Sequence, residues 1–135
     1  MDLLSAIMWL TLNIYHEGRS EEPLAQIAIA HVAINRVEES GKSMKKVILK
    51  PKQFSWTHTK KNWTPQEWNA LAEAFKHATI AIQGHDFTGG ATHYHHISVK
   101  PVWRKRLLYI GQYGTHKFYK ELPVIKASKT KIKRR

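Results

Sequence analysis

The chain has 135 residues and no cysteine, and 22 Lys+Arg against 10 Asp+Glu give it a formal charge of +12. One domain is the expectation at that length, and a hydrophobic fraction of 42 % is enough for a packed core. The missing cysteines exclude a disulfide framework, a thiolate nucleophile and a zinc ribbon, and the apolar run over residues 3–12, broken by Ser5 and Thr11, is too short to span a bilayer.

Apolar residues at Leu4, Ile7, Met8, Leu12 and Tyr15 predict a first helix over 3–15 that stops at Gly18. A second begins after Ser20 as N-cap, with Glu21 and Glu22 at the positive end of the macrodipole and Pro23 in the tolerant first turn. Ile27, Ala30, His31, Ile34 and Val37 form its inner side, Ala28 and Ala33 permit close helix packing, and Ser40-Gly41 ends it. A short helix over 44–49 stops before Pro51. Thr64-Pro65-Gln66-Glu67 reads as a capped helix start with a capping box. Leu71, Ala74, Phe75, Ala78 and Ile82 are its expected buried stripe, and Gly84 its stop. Trp9, Trp68 and Phe75 are expected in the core.

After Gly89-Gly90 the pattern becomes strand-like over 92–97. A hairpin is expected between Tyr109-Ile110 and Lys117-Phe118-Tyr119 across a Gly111/Gly114 turn. The predicted class is α+β, mainly helical, with a small β-hairpin or sheet in the second half. Residues 1–125 form the expected folded domain, and 126–135, with six bases and no acid, a basic C-terminal tail. Charge follows a similar division: residues 1–41 carry a net −4 and residues 42–135 a net +16. Such asymmetry points to a polyanionic partner, whether nucleic acid, membrane surface or envelope polymer.

Glu17 is the acid with the most informative position, at the end of the apolar first helix between Tyr15-His16 and Gly18-Arg19. Burial and the negative helix end both raise a carboxyl pKa there, which prepares a general acid; the competing reading is a helix-end glutamate paired with Arg19. His93 and His95 share a strand face, but no His-Glu-x-x-His helix accompanies them, and polar groove lining is preferred to a metal site. No Gly-rich phosphate loop or Gly-x-Ser-x-Gly elbow is present. Aromatics interleaved with polar groups, Phe54-Ser55-Trp56 with Trp63 and Tyr94 with Trp103, suit sugar faces as well as single-stranded nucleic acid.

Ordered motifs then point to a family. They are Ile14-Tyr15-His16-Glu17-Gly18-Arg19-Ser20-Glu21, the alanine-rich 26–37 ending in Asn35-Arg36-Val37, Lys50-Pro51-Lys52-Gln53-Phe54-Ser55 and Thr88-Gly89-Gly90-Ala91-Thr92-His93-Tyr94. Pro101 with Trp103, and Ile110-Gly111 with His116-Lys117-Phe118-Tyr119, complete them. Over residues 4–120 the chain resembles the spore cortex-lytic, SleB-like cell wall hydrolases. His16, Gly18 and Ser20 depart from the Gly, Ala and Gly usual in that family.

The resemblance implies a lysozyme-like α+β fold and cleavage of the β-1,4 bond between N-acetylmuramic acid and N-acetylglucosamine in peptidoglycan, with Glu17 as the essential acid. It further implies lytic transglycosylation, in which Glu17 acts as acid and then base and no cofactor or metal is needed. A lysozyme-type muramidase is the alternative on the same bond. The scarcity of other acids, two aspartates and eight glutamates in all, favours one carboxylate over two. Gln53, Ser55, Thr92, His93, Tyr94, His95, Trp103 and His116 are the expected substrate-binding residues, whereas Asn35, Arg36 and Phe118 shape the site.

The expected partner is the glycan strand, bound by a monomer, with the basic tail adhering to an anionic outer-membrane or envelope surface. Compactness and the lack of a secretory signal pattern suggest a phage endolysin, made in the host cytoplasm and reaching the wall after membrane permeabilisation. A nucleic-acid-binding module and a His-dependent metal amidase are the rivals. The first lacks helix-turn-helix, RNA-recognition or zinc-finger signatures.

Overall fold

The computed structural model describes residues 2–51, 53–59 and 63–122. The basic tail at 126–135 lies outside the described residues.

Helix α1, Leu3–Gly18, starts at Asp2, whose carboxylate accepts from the Ser5 N–H at 3.4 Å. Its inner face is Ala6, Leu10, Asn13, Ile14 and Tyr15; of the expected stripe only Tyr15 is fully buried, while Leu4 is 67 % exposed and Met8 58 %. Apolar residues occupy most of this helix's circumference, so periodicity alone does not choose a face. Buried Asn13 turns inward because its Oδ1 accepts from Trp56 Nε1 at 2.8 Å, which satisfies two polar groups in the core.

Helix α2, Pro23–Ser40, is the central element and is packed by α1, by α3 (Met44–Leu49) and by α4 (Trp68–Gln83). Burial of Ala25, Ala28, Ile29, Ala30, Val32 and Ala33 covers nearly its whole girth, and the alanines let neighbouring backbones come close. Ser20 does not cap it. Glu22 holds the N-cap position without a side-chain bond, while Glu21 is drawn away to Thr115. At its end, Gly41 adopts φ +72° and donates to Val37 O at 2.8 Å. Ser43 caps α3, accepting from the Lys46 N–H at 3.2 Å.

The expected capping box at Thr64 does not form, and α4 begins at Trp68 behind Glu67. Tertiary structure takes the groups the box would use. The Tyr15 hydroxyl accepts from the Gln66 and Glu67 N–H groups at 3.0 and 3.1 Å, and Glu67 pairs with Arg19 at 3.2 Å. The buried stripe of α4 is Ala74, His77, Ala78 and Ala81. Phe75 and Trp68, expected in the core, are 53 % and 81 % exposed. An alanine ridge brings α4 onto α1 and α2 and leaves the bulky side chains beside the contact. His77 Nδ1 donates to Gln26 Oε1 at 2.6 Å, and Gln26 Nε2 donates to Gly18 O at 2.8 Å, tying α4 through α2 to the end of α1.

The sheet is antiparallel in the order β1–β3–β2, formed by His93–His96, His116–Lys120 and Leu108–Tyr113 respectively. Only Gly114 (φ +58°) makes the turn; Gly111 lies inside β2, where the register shifts. Asp86 organises the preceding loop, accepting from the Thr88 N–H, the Thr88 hydroxyl, the Gly90 N–H and Asn35 Nδ2. Asn35 also donates to Ala91 O at 2.8 Å, and Arg36 Nε to Thr92 O at 2.7 Å. The Asn-Arg pair of α2 thereby sets the approach of β1 to the helices.

Candidate active site

Helix α1 delivers Glu17 to the wall of an open cleft of about 600 Å³, opposite the histidine-rich strand β1. The Tyr94 hydroxyl donates to Glu17 Oε1. Tyr94 is itself fixed by its ring contacts with Phe54, His116 and Phe118, all between 5.5 and 6.3 Å. Burial pushes the Glu17 carboxyl above its ordinary value, outweighing the Tyr94 hydrogen bond and the positive charge of Arg36, which both favour the anion. The Tyr94 phenol is raised well above its usual range, first by burial and then by the facing carboxylate, so it stays a donor at any working pH. Arg19 pairs with Glu67 and not with Glu17. What results is a carboxyl held in one orientation by a permanent donor and biased toward its protonated form, as proton delivery to a leaving oxygen requires.

Of the residues expected to bind substrate, Ser55, Tyr94, His95 and His116 line this cleft with Glu17. Gln53, Thr92 and His93 line a separate cavity on the other side of the segments 53–55 and 92–95. Thr92 is only 1 % exposed and its polar groups are engaged: its N–H donates to Tyr119 O, its carbonyl accepts from Arg36, and its hydroxyl meets His93 Nδ1. Trp103 does not line the Glu17 cleft; it braces β1 from behind, against His93, His95 and Tyr119 at 5.2–5.8 Å.

His95 is set by its partners. Its Nδ1 faces the His96 carbonyl at 2.8 Å and must donate, while Nε2 is hydrogen-bonded to the Tyr119 hydroxyl at 2.9 Å. His16 stacks on Trp56 at 4.5 Å and donates from Nε2 to Trp63 O at 3.0 Å, which closes the floor between the cleft and the Trp56–Trp63 pair. Burial lowers the pKa of His116, against the opposing pull of the Glu21 carboxylate.

Sequence reasoning missed Glu21, His16, Arg19 and His96, which also line the cleft. Glu21 is a second carboxylate there, but its acceptor capacity is largely spent. Oε1 takes the Thr115 N–H at 2.9 Å, Oε2 takes the Thr115 hydroxyl at 2.6 Å, and His116 Nδ1 lies 3.4 Å away. Burial would raise its pKa, yet these bonds and the neighbouring histidine outweigh burial and hold it below the usual carboxylate value. Its reading as a macrodipole residue hid this role, because the partners stand 94 positions away in sequence.

Removing the Tyr94 hydroxyl tests the geometry directly. In Tyr94→Phe, kcat is expected to fall about 10–100-fold, the value of one hydrogen bond to a charged group at about 1.5–3 kcal/mol. Without that donor the Glu17 anion is less favoured, so the alkaline limb of the rate profile moves to higher pH. A profile that keeps its position in steady-state assays would show that the hydroxyl does not act on Glu17.

An α+β, mainly helical domain with a short antiparallel sheet and a helix-borne acid at its cleft has a lysozyme-like architecture. Within that class the chain belongs to the cell wall hydrolase family, whose sequence pattern matches residues 20–119, starting just after Glu17. Among solved structures it is similar to the catalytic domain of the germination-specific lytic transglycosylase SleB from Bacillus anthracis. The two are 30 % identical with a TM-score of 0.69, over 85 % of this chain and 93 % of that one. The catalytic domain of the Bacillus cereus SleB protein is similar at 29 % identity and a TM-score of 0.68, over 85 % of this chain and 89 % of that one. No curated protein sequence gives a significant match.

Proposed function

We propose that this cell wall hydrolase is a lytic transglycosylase that cuts the β-1,4 bond between N-acetylmuramic acid and N-acetylglucosamine, with Glu17 as its acid and base. The carrying observation is the buried, Tyr94-bound carboxyl of Glu17 in the open cleft. Protonated Glu17 gives its proton to the glycosidic oxygen as the C1–O bond breaks. The resulting carboxylate takes the proton of the muramoyl C6 hydroxyl as that oxygen bonds to C1. Glu17 is thereby restored, a 1,6-anhydro end is formed, and no water is consumed. The lytic transglycosylase activity named for the similar Bacillus anthracis domain supports this reading, and family membership favours it over a nucleic-acid-binding module.

Glu21 gives a hydrolytic muramidase its one specific support, since a second carboxylate in the cleft could activate water. Its hydrogen bonds to Thr115 and its lowered pKa argue for a structural anchor instead. Product analysis decides between them. Mass spectrometry of digested peptidoglycan is expected to show muramic ends lighter by one water, whereas reducing muramic ends alone would establish the hydrolase. At the cellular level the proposal is an endolysin: added protein clears permeabilised Gram-negative cells and leaves intact ones turbid.

A further inference from the structure

The second cavity, about 390 Å³, lies across the segments 53–55 and 92–95 from the Glu17 cleft. Three lysines spaced four residues apart, Lys42, Lys46 and Lys50, stand on and beside α3 at its rim, and the half-buried Arg36 forms part of its wall. None of these lysines forms an ion pair with a described residue. Arg36 spends Nε on Thr92 O, but its buried Nη1 has no acceptor. Two carboxylates face these four cations. They are Glu39 and Glu121, both exposed, so positive groups outnumber acids four to two along this lining. The cavity is therefore electropositive, with ammonium groups free to meet an anion that is not rigidly shaped.

Position identifies the anion. Gln53 and His93 open into this cavity, while their neighbours Ser55 and Tyr94 open into the Glu17 cleft. A glycan held with its scissile bond at Glu17 therefore lies within a few residues' width of the lysines. Muramic acid projects sideways from the strand a lactyl group amide-linked to a short peptide that carries free carboxylates. We infer that the cavity bounded by Arg36, Lys42, Lys46 and Lys50 is a subsite for the carboxylates of that stem peptide, making this chain selective for peptide-bearing over denuded glycan. The inference rests on the proposed glycan-cleaving function.

Equilibrium binding to the full-length Glu17→Gln protein tests it without turnover. Three soluble glycan fragments of equal length serve as probes: stem-bearing, stem-bearing with carboxylates capped as amides, and denuded by amidase. The stem-bearing fragment is expected to bind about tenfold more tightly than the other two at low ionic strength, a preference that fades as salt screens it. Lys42→Ala/Lys46→Ala/Lys50→Ala should remove the preference, and the triple Lys→Arg variant should restore most of it. These positions are exposed, and matching thermal melts would show that the fold is intact.

Equal affinity for all three probes would overturn the subsite, as would a preference that survives amide capping or the triple alanine change. Failure of the underlying function looks different: no probe binds, or Glu17→Gln still cleaves the wall.

Discussion

Glu17→Gln is expected to lower glycan cleavage by about 10²–10⁴-fold, the range associated with losing a positioned general acid. The amide nearly matches the carboxyl in size and can still accept the Tyr94 hydrogen bond, so the cleft keeps its shape. What it loses is an acidic proton, and with it both halves of the proposed reaction. Stability should move the opposite way. Because burial raises the folded-state pKa of Glu17 above its unfolded value, the native protein holds this proton more firmly than the unfolded chain. That contribution is complete below the unfolded pKa and is lost as pH rises through the folded one. Above the folded-state pKa the ionised carboxylate is thus a net burden on the fold, and there the glutamine variant should melt at a temperature equal to or above that of the parent. The difference should vanish in acid below the ordinary glutamate range. Full activity in turbidity assays with a correctly folded variant would remove Glu17 from the reaction; loss of activity together with a lower melting point would assign it a structural part.

The same carboxyl bears on the pH profile of the parent. Proton donation requires the neutral form, so activity should fall as pH rises past a value above the usual glutamate pKa, in the direction that burial sets. Tyr94 and Arg36 both oppose that shift. Their presence keeps Glu17 able to return to the carboxylate and act as base in the second half of the reaction.

Where signals were local, the chain could be read directly. The short helix over 44–49 and the stop at Gly41 follow from Ser43, Pro51 and a left-handed glycine, all within a few residues of the feature they set. Failures came where a distant partner decided. The face of α1 depends on Asn13 meeting Trp56, 43 residues on, and the start of α4 depends on Tyr15 taking N–H groups 51 and 52 residues away. Trp68 and Phe75 are large and apolar, but the alanine ridge at Ala74, Ala78 and Ala81 permits closer helix packing than they would. The cleft divides in the same manner. The place of Glu17 in the cleft wall was legible because it ends an apolar helix, while its freedom from Arg19 depends on Glu67, 48 residues further along the chain. Gln53 and Ser55 lie two residues apart yet face different cavities, a distinction set by the fold around Phe54.

Gly114→Ala is expected to cost about 2–4 kcal/mol of stability, combining the left-handed backbone penalty with steric overlap. Gly114 has φ +58°, and a Cβ there would collide with Glu21 Oε1 and lie 3.0 Å from Ala25 Cβ. Glu21 cannot yield cheaply, because its two oxygens hold the Thr115 N–H and hydroxyl. Moving it would strand a donor in a part-buried site and loosen the hairpin from the start of α2. Gly41→Ala supplies the internal control. Its φ of +72° carries a similar backbone penalty, but nothing lies within 4 Å of the added carbon, so a loss of only about 1–2 kcal/mol is expected. Chemical denaturation of the three proteins isolates the steric part as the difference between the variants. Function should separate them too. Gly41 does not line the Glu17 cleft, whereas Gly114 turns directly into Thr115 and His116 and thereby anchors Glu21 in the cleft wall. Equal losses of stability in the two variants would show that Glu21 moves freely, and would deprive the Thr115–Glu21 clamp of its role in holding the hairpin against the start of α2.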